Sequence, residues 1–460
     1  MKIIHKFLAL VVVVFLFTSC DEFLDVNENV NTPTDVNMSA LLPTVIQQTS
    51  RAQYLLARDG NKITQHIANV TDYPERISSG AWSTIYLNVL DDAKDIQSRA
   101  SGSNHYQGVV EVLEAMNIGQ LADHWESAVY SEGFKATENL TPAYDSQMQL
   151  YDEINRKLAS AIAHLEDSIS VSIESPGADD LIYGGDIETW TKLAYTLRAR
   201  YALHLSNKGL DASAVLSDLE KGLESNSDNC QLNYSQEHKN YWHLVALGNN
   251  TGNNTITQGD YMIKSMQNLG PSGDPRLPLI TKVVSTIDSL DGKTVESSDD
   301  YNTDFTVDTW HSRESAPIVM VSYSEAKFIE AEVALPTDKT RAYTAYLKGI
   351  EAHMNMMGVD AAAISDYLAD QNVGVGEDSL TLSNIMMQKY FAMYLTTEAW
   401  VDMRRHHYDA GIYPDFVPGD PHGLGGVIQR MYYPDSEFDR NGVQVNKVKK
   451  DDLEVMWRDQ

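Results

Sequence analysis

Residues 322–358 read SYSEAKFIEAEVALPTDKTRAYTAYLKGIEAHMNMMG, and two helices are written into them. Ser322 stands three residues before Glu325, the spacing at which a hydroxyl and a carboxyl cap each other's backbone N–H groups at a helix start. Ala326, Ile329 and Val333 follow at helical spacing and predict one buried face. Pro336 to Lys339 interrupts the pattern. A second stripe then runs through Tyr343, Tyr346, Leu347, Ile350, Met354 and Met357, and Gly358 supplies a left-handed stop. Two amphipathic helices joined by so few residues form an antiparallel hairpin.

Such a hairpin is the unit of tetratricopeptide-type helical repeats, although no clean 34-residue period aligns along this chain. The same helical period recurs in both directions. From Gln147 to Leu165, residues Tyr151, Ile154, Leu158, Ile162 and Leu165 lie opposite Asp152, Arg156 and Lys157. From Glu188 to Leu205, Trp190, Leu193, Leu197, Tyr201 and Leu205 repeat it, with a glycine stop at Gly209. Two stretches differ. Gln231 to Thr257 is rich in Asn, Gly, Gln and Tyr and predicts a long irregular segment. Ser285 to Pro317 is rich in Asp, Ser and Thr, with Thr-Val alternations that suggest short strands. Ordered loops of this length usually carry function. The expected fold class is mainly α: tetratricopeptide-like hairpins, long irregular loops and a few short strands.

The N-terminus has the three parts of an export signal. Lys2 and Lys6 precede an apolar run from Phe7 to Phe17, too short to span a bilayer, and Thr18-Ser19-Cys20 follows. A cysteine directly after a small residue is the added mark of a bacterial lipoprotein signal, in which Cys20 is acylated and becomes the first mature residue. Several acyl chains make such an anchor effectively permanent, each buried CH₂ contributing ~0.8 kcal/mol. Asp21 and Glu22 resemble an export tag for the outer face of the outer membrane. Residues 27–35 are polar and contain Pro33, as a tether requires. The expected organisation is a signal peptide over 1–19, a lipidated tether over 20–35 and a single α-rich domain over 36–460. No later stretch has the apolar length of a span.

Composition narrows the partners. With 35 Lys and Arg against 65 Asp and Glu, the formal net charge is −30, which repels phosphate backbones and excludes nucleic acid as a partner. Two cysteines exist; with Cys20 committed to lipid, Cys230 has no partner for a disulfide and reads as a small buried apolar residue.

Several segments together resemble the SusD/RagB family of outer-membrane nutrient-binding lipoproteins, in its second SusD-like subgroup. The mature start Cys20-Asp-Glu-Phe-Leu-Asp-Val-Asn is similar to the family opening, with Asn29-Val30-Asn31 where the family often has Asn-Pro-Asn. Trp82 to Ile96, with Trp82, Tyr86, Leu90 and Ala93 in register, resembles its early helix. Tyr130-Ser131-Glu132 survives from a family loop in which Ala128-Val129 replaces Val-Pro. Gly273-Asp274-Pro275-Arg276-Leu277, Tyr323-Ser324-Glu325-Ala326 with Glu330-Ala331-Glu332, Glu398 to Arg405, and Arg430 to Glu437 complete the series. The resemblance implies an α-rich body with a loop-built binding face. It also implies a SusC-like TonB-dependent outer-membrane transporter as partner, to which captured nutrient is handed. A glycan is the expected ligand and a peptide the alternative.

A search for catalytic patterns returns none: no His-Glu-x-x-His, no Gly-x-Ser-x-Gly, no phosphate loop and no Gly-x-Gly-x-x-Gly. His406-His407 beside Asp402 and Asp409 fails as a metal site because adjacent helical residues point about 100° apart. No cofactor, metal or catalytic residue is expected. A surface glycoside hydrolase with an unmarked carboxylate pair is the rival from another class.

A sugar binder needs flat rings for C–H patches and amides or acids for hydroxyls. Three clusters supply them. Tyr241 and Trp242 stand beside Asn240, Asn249, Asn250 and Asn253. Tyr301 and Asn302 accompany Asp304, Trp310 and Arg313. Asp72, Tyr73 and Arg76 precede Trp82. Each has a competing reading. Trp82 opens an amphipathic pattern that also reads as core, and Trp242 and Trp310 read equally as plugs that fasten loops to the body. Trp190 and Trp400 fall on helical stripes and read as core. Arg404 and Arg405 read as structural ion-pair partners, and Met354 to Met357 as core or as a transporter-facing helix.

Overall fold

The hairpin forms, but its first cap is only half of the pattern in the sequence. In the computed structural model, Ser322 Oγ accepts from Glu325 N at 3.1 Å, yet the Glu325 carboxylate does not turn back to cap. It is buried and accepts from Arg200 Nε at 2.6 Å. A buried carboxylate needs a cation more than a helix end needs a second acceptor, which water can replace. Helix Tyr323–Ala334 is followed by helix Lys339–Met357, whose Asp338 cap accepts from Arg341 N. Gly358 closes it in the left-handed region at φ 81°. Ser324 Oγ donates to the Gly349 carbonyl at 2.7 Å and fastens the two together.

The structure describes residues 36–70, 76–167, 173–252, 256–282, 286–294, 300–420 and 423–460. The signal peptide, Cys20, the tether, and Asp72 and Tyr73 lie outside them. Residues 38–460 form one unit. Helix Asn104–Trp125 is buried along nearly its whole length, as expected of a helix enclosed by others. It packs on Gln147–Glu166, which starts at a complete Ser146–Gln149 capping box. Helix Ile187–His204 follows and extends the stack towards the Tyr323–Ala334 hairpin.

Buried charges lock this stack. Arg200 pairs with Glu325 and lies 3.6 Å from Glu398. His204 bridges Glu398 at 2.9 Å and Asp123 at 3.3 Å. Asp123 in turn pairs with Arg458, whose side chain is fully buried. Alongside, Arg405 joins Glu332 and Asp402, and Lys389 reaches Asp402 at 2.7 Å. Asp274 and Arg276 form a third buried pair, joined by the Tyr367 hydroxyl at 2.8 Å. The segments that carried the family resemblance contribute Asp274, Arg276, Glu325, Glu332, Glu398, Asp402 and Arg405 to these pairs, and Asp123, Arg200, His204, Lys389 and Arg458 come from outside them. Arg405 is an ion-pair partner as expected. Arg404 is not: it donates to the Gln429 carbonyl and lies 3.9 Å from the Trp400 ring centroid.

Among the described residues four short strands form: Ile67–Asn69, Cys230–Leu232, Ile256–Gln258 and Ile318–Val321. The first pairs antiparallel with the third, placing Ile67 opposite Gln258, and the second with the fourth. Cys230 is fully buried there. Three expectations need correction. The region from Gln231 to Thr257 contains a ten-residue helix, Tyr241–Asn250, started by Asn240 Oδ1 accepting from Trp242 N. Among the described residues of 285–317 no strand forms; the chain makes turns and one bridge, Lys293 to Gly259. The early helix is two helices, Ser79–Thr84 and Asp91–Arg99, separated by a π-helical turn over Ile85–Leu90. That wider turn keeps Trp82, Ile85, Val89, Leu90, Ala93 and Ile96 all buried.

Candidate functional site

Strand pairing brings three distant pieces of chain to one place. The Ile67–Asn69 strand carries the preceding turn, Thr64 to His66, against Gly259, whose N–H donates to the His66 carbonyl at 3.0 Å. A Cβ at Gly259 would lie 1.9 Å from the Gln65 carbonyl oxygen, so only glycine permits this approach. Helix Asp260–Gln267 begins there, and its opening is tied by Asp260 N donating to the Lys293 carbonyl at 3.1 Å. His66 behind the turn is fully buried and stacks on Tyr390 at 3.9 Å. Burial lowers its imidazole to about 3, and its Nε2 lies 2.8 Å from the Tyr390 carbonyl. A neutral ring thus anchors the turn from inside.

The third piece is the loop around residues 415–419. Gln65 Nε2 donates to the Val417 carbonyl at 2.6 Å. Gln65 and Asp415 both sit in the left-handed region, at φ 60° and 62°. Such conformations cost energy and concentrate at functional sites.

These pieces enclose a cleft of about 380 Å³, lined by Gln65, Asp260, Tyr261, Lys264, Asn268 and Asp415, among others, with Val417 and Pro418 at the lip. This volume is within the range of small-molecule sites, ~300–1,000 Å³. Tyr261 meets Phe416 edge-on at 5.0 Å. Burial raises its hydroxyl, which stays protonated and donates inward to Met387 Sδ at 3.4 Å, leaving the ring edge to the cleft. Burial also raises the Asp260 carboxyl, against the pull of Lys264. Lys264 Nζ lies 2.5 Å from Asp291 and 3.9 Å from Asp260. Asn268 donates to the Lys264 carbonyl, which leaves its amide oxygen as an acceptor. Val417 is 75 % exposed. An apolar lip, an aromatic ring, two amides and two carboxylates can hold a ligand with C–H patches and many hydroxyls.

Of the described sequence candidates, two lie near this cleft. Asn302 Oδ1 accepts from Asp291 N at 2.8 Å, one residue contact from Lys264. Tyr301 lies under Lys293, 5.6 Å from ring centroid to Nζ, and Thr294 lines the cleft. The large rings go elsewhere. Trp242 is 2 % exposed, packed edge-on against Tyr54 at 4.9 Å and near Phe305. Trp310 is 8 % exposed, with Arg313 5.0 Å from one face and His311 against it. Trp242 fastens its helix and Trp310 its turn to the body, and both are buried. Trp82 is core: its ring meets Trp125 and Tyr433, and its Nε1 donates to Glu437. Tyr241 is half-buried and stacks on Tyr54 at 5.1 Å. Asn250 is exposed at the end of its helix. Arg76 pairs with Asp452 near the C-terminus. Trp190 and Trp400 are buried, as expected. The cleft residues Gln65, Asp260, Tyr261, Lys264, Asn268 and Asp415 carried no pattern that sequence reading had weighed. The signal was Gly259 before a short helix whose polar positions Asp260, Lys264 and Asn268 recur every fourth residue.

Comparison with known proteins gives the following. Residues 30–434 match the model of the SusD-like family described as starch-binding and associating with the outer membrane. A SusD/RagB family protein from Bacteroides thetaiotaomicron VPI-5482 superposes with a TM-score of 0.74 at 21% identity, over 92% of this chain and 98% of its own. A chitin-binding SusD homolog from Flavobacterium johnsoniae gives 0.74 at 20% identity, over 91% and 98%. A SusD homolog from Bacteroides uniformis ATCC 8492 gives 0.72 at 17% identity, over 92% and 100%. At these identities the likeness concerns the fold. No curated protein matches the chain.

Proposed function

Because this chain belongs to the SusD-like family, matched over residues 30–434, we propose that it captures an oligosaccharide at the cell surface and passes it on uncleaved. The observation that carries the reading is the cleft at Gln65, Tyr261 and Asn268, whose lining suits hydroxyl-rich ligands. Chitin binding by a relative of the same fold supports a glycan over a peptide. The family is one of binding proteins, and the reading requires no turnover. Lipid on Cys20 would hold the protein at the outer membrane, facing outward. A SusC-like TonB-dependent transporter would receive the ligand. Among the described residues no helix is long and apolar enough to cross a membrane.

The test is calorimetry of the mature protein against a panel of oligosaccharides and peptides, with chromatography of each ligand afterwards. The expected result is saturable binding of at least one oligosaccharide, recovered intact. Cleaved product lost on mutating a single carboxylate would establish the hydrolase instead. Purification from membranes with a large β-barrel tests the transporter, and mass spectrometry of the N-terminal peptide tests acylation of Cys20.

A further inference from the structure

The cleft carries a charge pattern that restricts which sugars it accepts. Lys264 is the one cation among the described residues lining it, and its ammonium is shared between Asp291 at 2.5 Å and Asp260 at 3.9 Å. The two carboxylates beside it offset its charge. Asp415 also lines the cleft, is exposed, and forms no ion pair among the described residues. The cleft and its rim thus hold three carboxylates against one ammonium, within a chain of formal net charge −30. The remaining lining is uncharged: Gln65, Tyr261, Ser265, Asn268 and Thr294, with Val417 and Pro418 at the lip.

We propose that this cleft selects neutral and amine-bearing oligosaccharides and rejects polyanionic ones such as uronate oligomers, with the free carboxylate of Asp415 as the selecting group. The proposal rests on the oligosaccharide-binding reading and adds the ligand class. A ligand carboxylate entering here meets no uncommitted cation and loses its hydration without replacement. A ligand ammonium meets Asp415 directly. Like-charge juxtaposition is a common device for turning away wrong partners.

The experiment uses three β-1,4-linked oligosaccharides of equal length: an N-acetylglucosamine oligomer, its deacetylated form and a glucuronate oligomer. Each is titrated into the mature protein at low ionic strength and mildly acid pH, where the amines are charged. The first two share every linkage and differ at one position per sugar, a neutral acetamide against a charged amine, so the Asp415→Asn comparison isolates the charge. The expected order is deacetylated form tightest, acetylated form next and glucuronate without measurable binding. Asp415→Asn keeps a residue type that tolerates φ 62°. It is expected to cut the preference for the deacetylated over the acetylated oligomer about fivefold, the upper end for one exposed charge pair. Added salt compresses the order in the same direction. Binding of all three without a charge order, or a preference unchanged by Asp415→Asn, overturns the selectivity and leaves the sugar-binding reading standing. No binding by any of the three up to their solubility limit overturns this proposal, and the oligosaccharide panel then decides the sugar-binding reading by itself.

Discussion

Arg200 grips Glu325 from 125 residues away, Nε to Oε1 at 2.6 Å, with both side chains 2 % exposed. The pair joins helix Ile187–His204 to the first helix of the 322–358 hairpin. Removing one member leaves a bare charge in the interior. Arg200→Met is therefore expected to cost about 3–5 kcal/mol. Urea denaturation measures it. A loss below about 1 kcal/mol would mean that water reaches the remaining carboxylate.

The same network sets the response to acid. Burial would raise the Glu398 carboxyl, but Arg200 and His204 beside it bring it down to about 2. Burial likewise opposes ionisation of Asp123, and Arg458 and His204 overcome it and hold that carboxyl well below its usual range. A depressed carboxyl contributes stability above its unfolded pKa of ~4 and loses it as pH falls through the folded value. Melting temperature is expected to fall steeply from about pH 4.5 towards pH 2. Glu398→Gln should flatten that slope while lowering stability at neutral pH. His204 acts with the opposite sign: raised by Asp123 and Glu398 against burial, it stabilises below its unfolded pKa of ~6.5 and stops doing so as pH rises through its folded value.

Gly119 marks where helix Asn104–Trp125 meets Tyr201. A Cβ there would lie 2.1 Å from the Tyr201 hydroxyl oxygen and 2.5 Å from Cε1. Gly119→Ala gains about 1 kcal/mol of helix propensity, set against overpacking that typically costs ~1–3 kcal/mol. In a ring-against-backbone contact this close the second term wins, so net destabilisation is expected in the same denaturation assay. Unchanged or increased stability would place the two helices further apart.

Trp242 and Trp310 separate a structural role from a binding role. Both are buried, so Trp242→Ala and Trp310→Ala are each expected to cost about 3–5 kcal/mol. The fraction that stays folded should bind ligand with little change in affinity. Full stability with lost binding would return these rings to the ligand site.

The helical body was legible because its signals are local. The apolar period of 322–358, the Ser322 cap and the Gly358 stop each act within one turn of chain. Trp190 and Trp400 fell on the buried side for the same reason, and Cys230 did so because the cysteine count left it no disulfide partner. The helix Tyr241–Asn250 was missed because its start is an Asn that also suits a ligand contact. Asn240 spends its amide on Trp242 N and the Ala316 carbonyl. Asn249 likewise reaches the Ile256 carbonyl. The cleft was illegible for a different reason. Gln65, the 260–268 segment and Asp415 come together through long-range contacts: the Ile67–Asn69 to Ile256–Gln258 pairing, the Gln65–Val417 hydrogen bond and the Tyr261–Phe416 ring contact. No spacing in the sequence encodes those contacts.

Amide hydrogen exchange with and without a bound oligosaccharide tests the location of the site most directly. The cleft predicts slowed exchange on binding in residues 64–66, 260–268 and 415–419, with helix Tyr241–Asn250 unchanged. Slowed exchange confined to that helix and its neighbours, with the cleft segments unaffected, would contradict it.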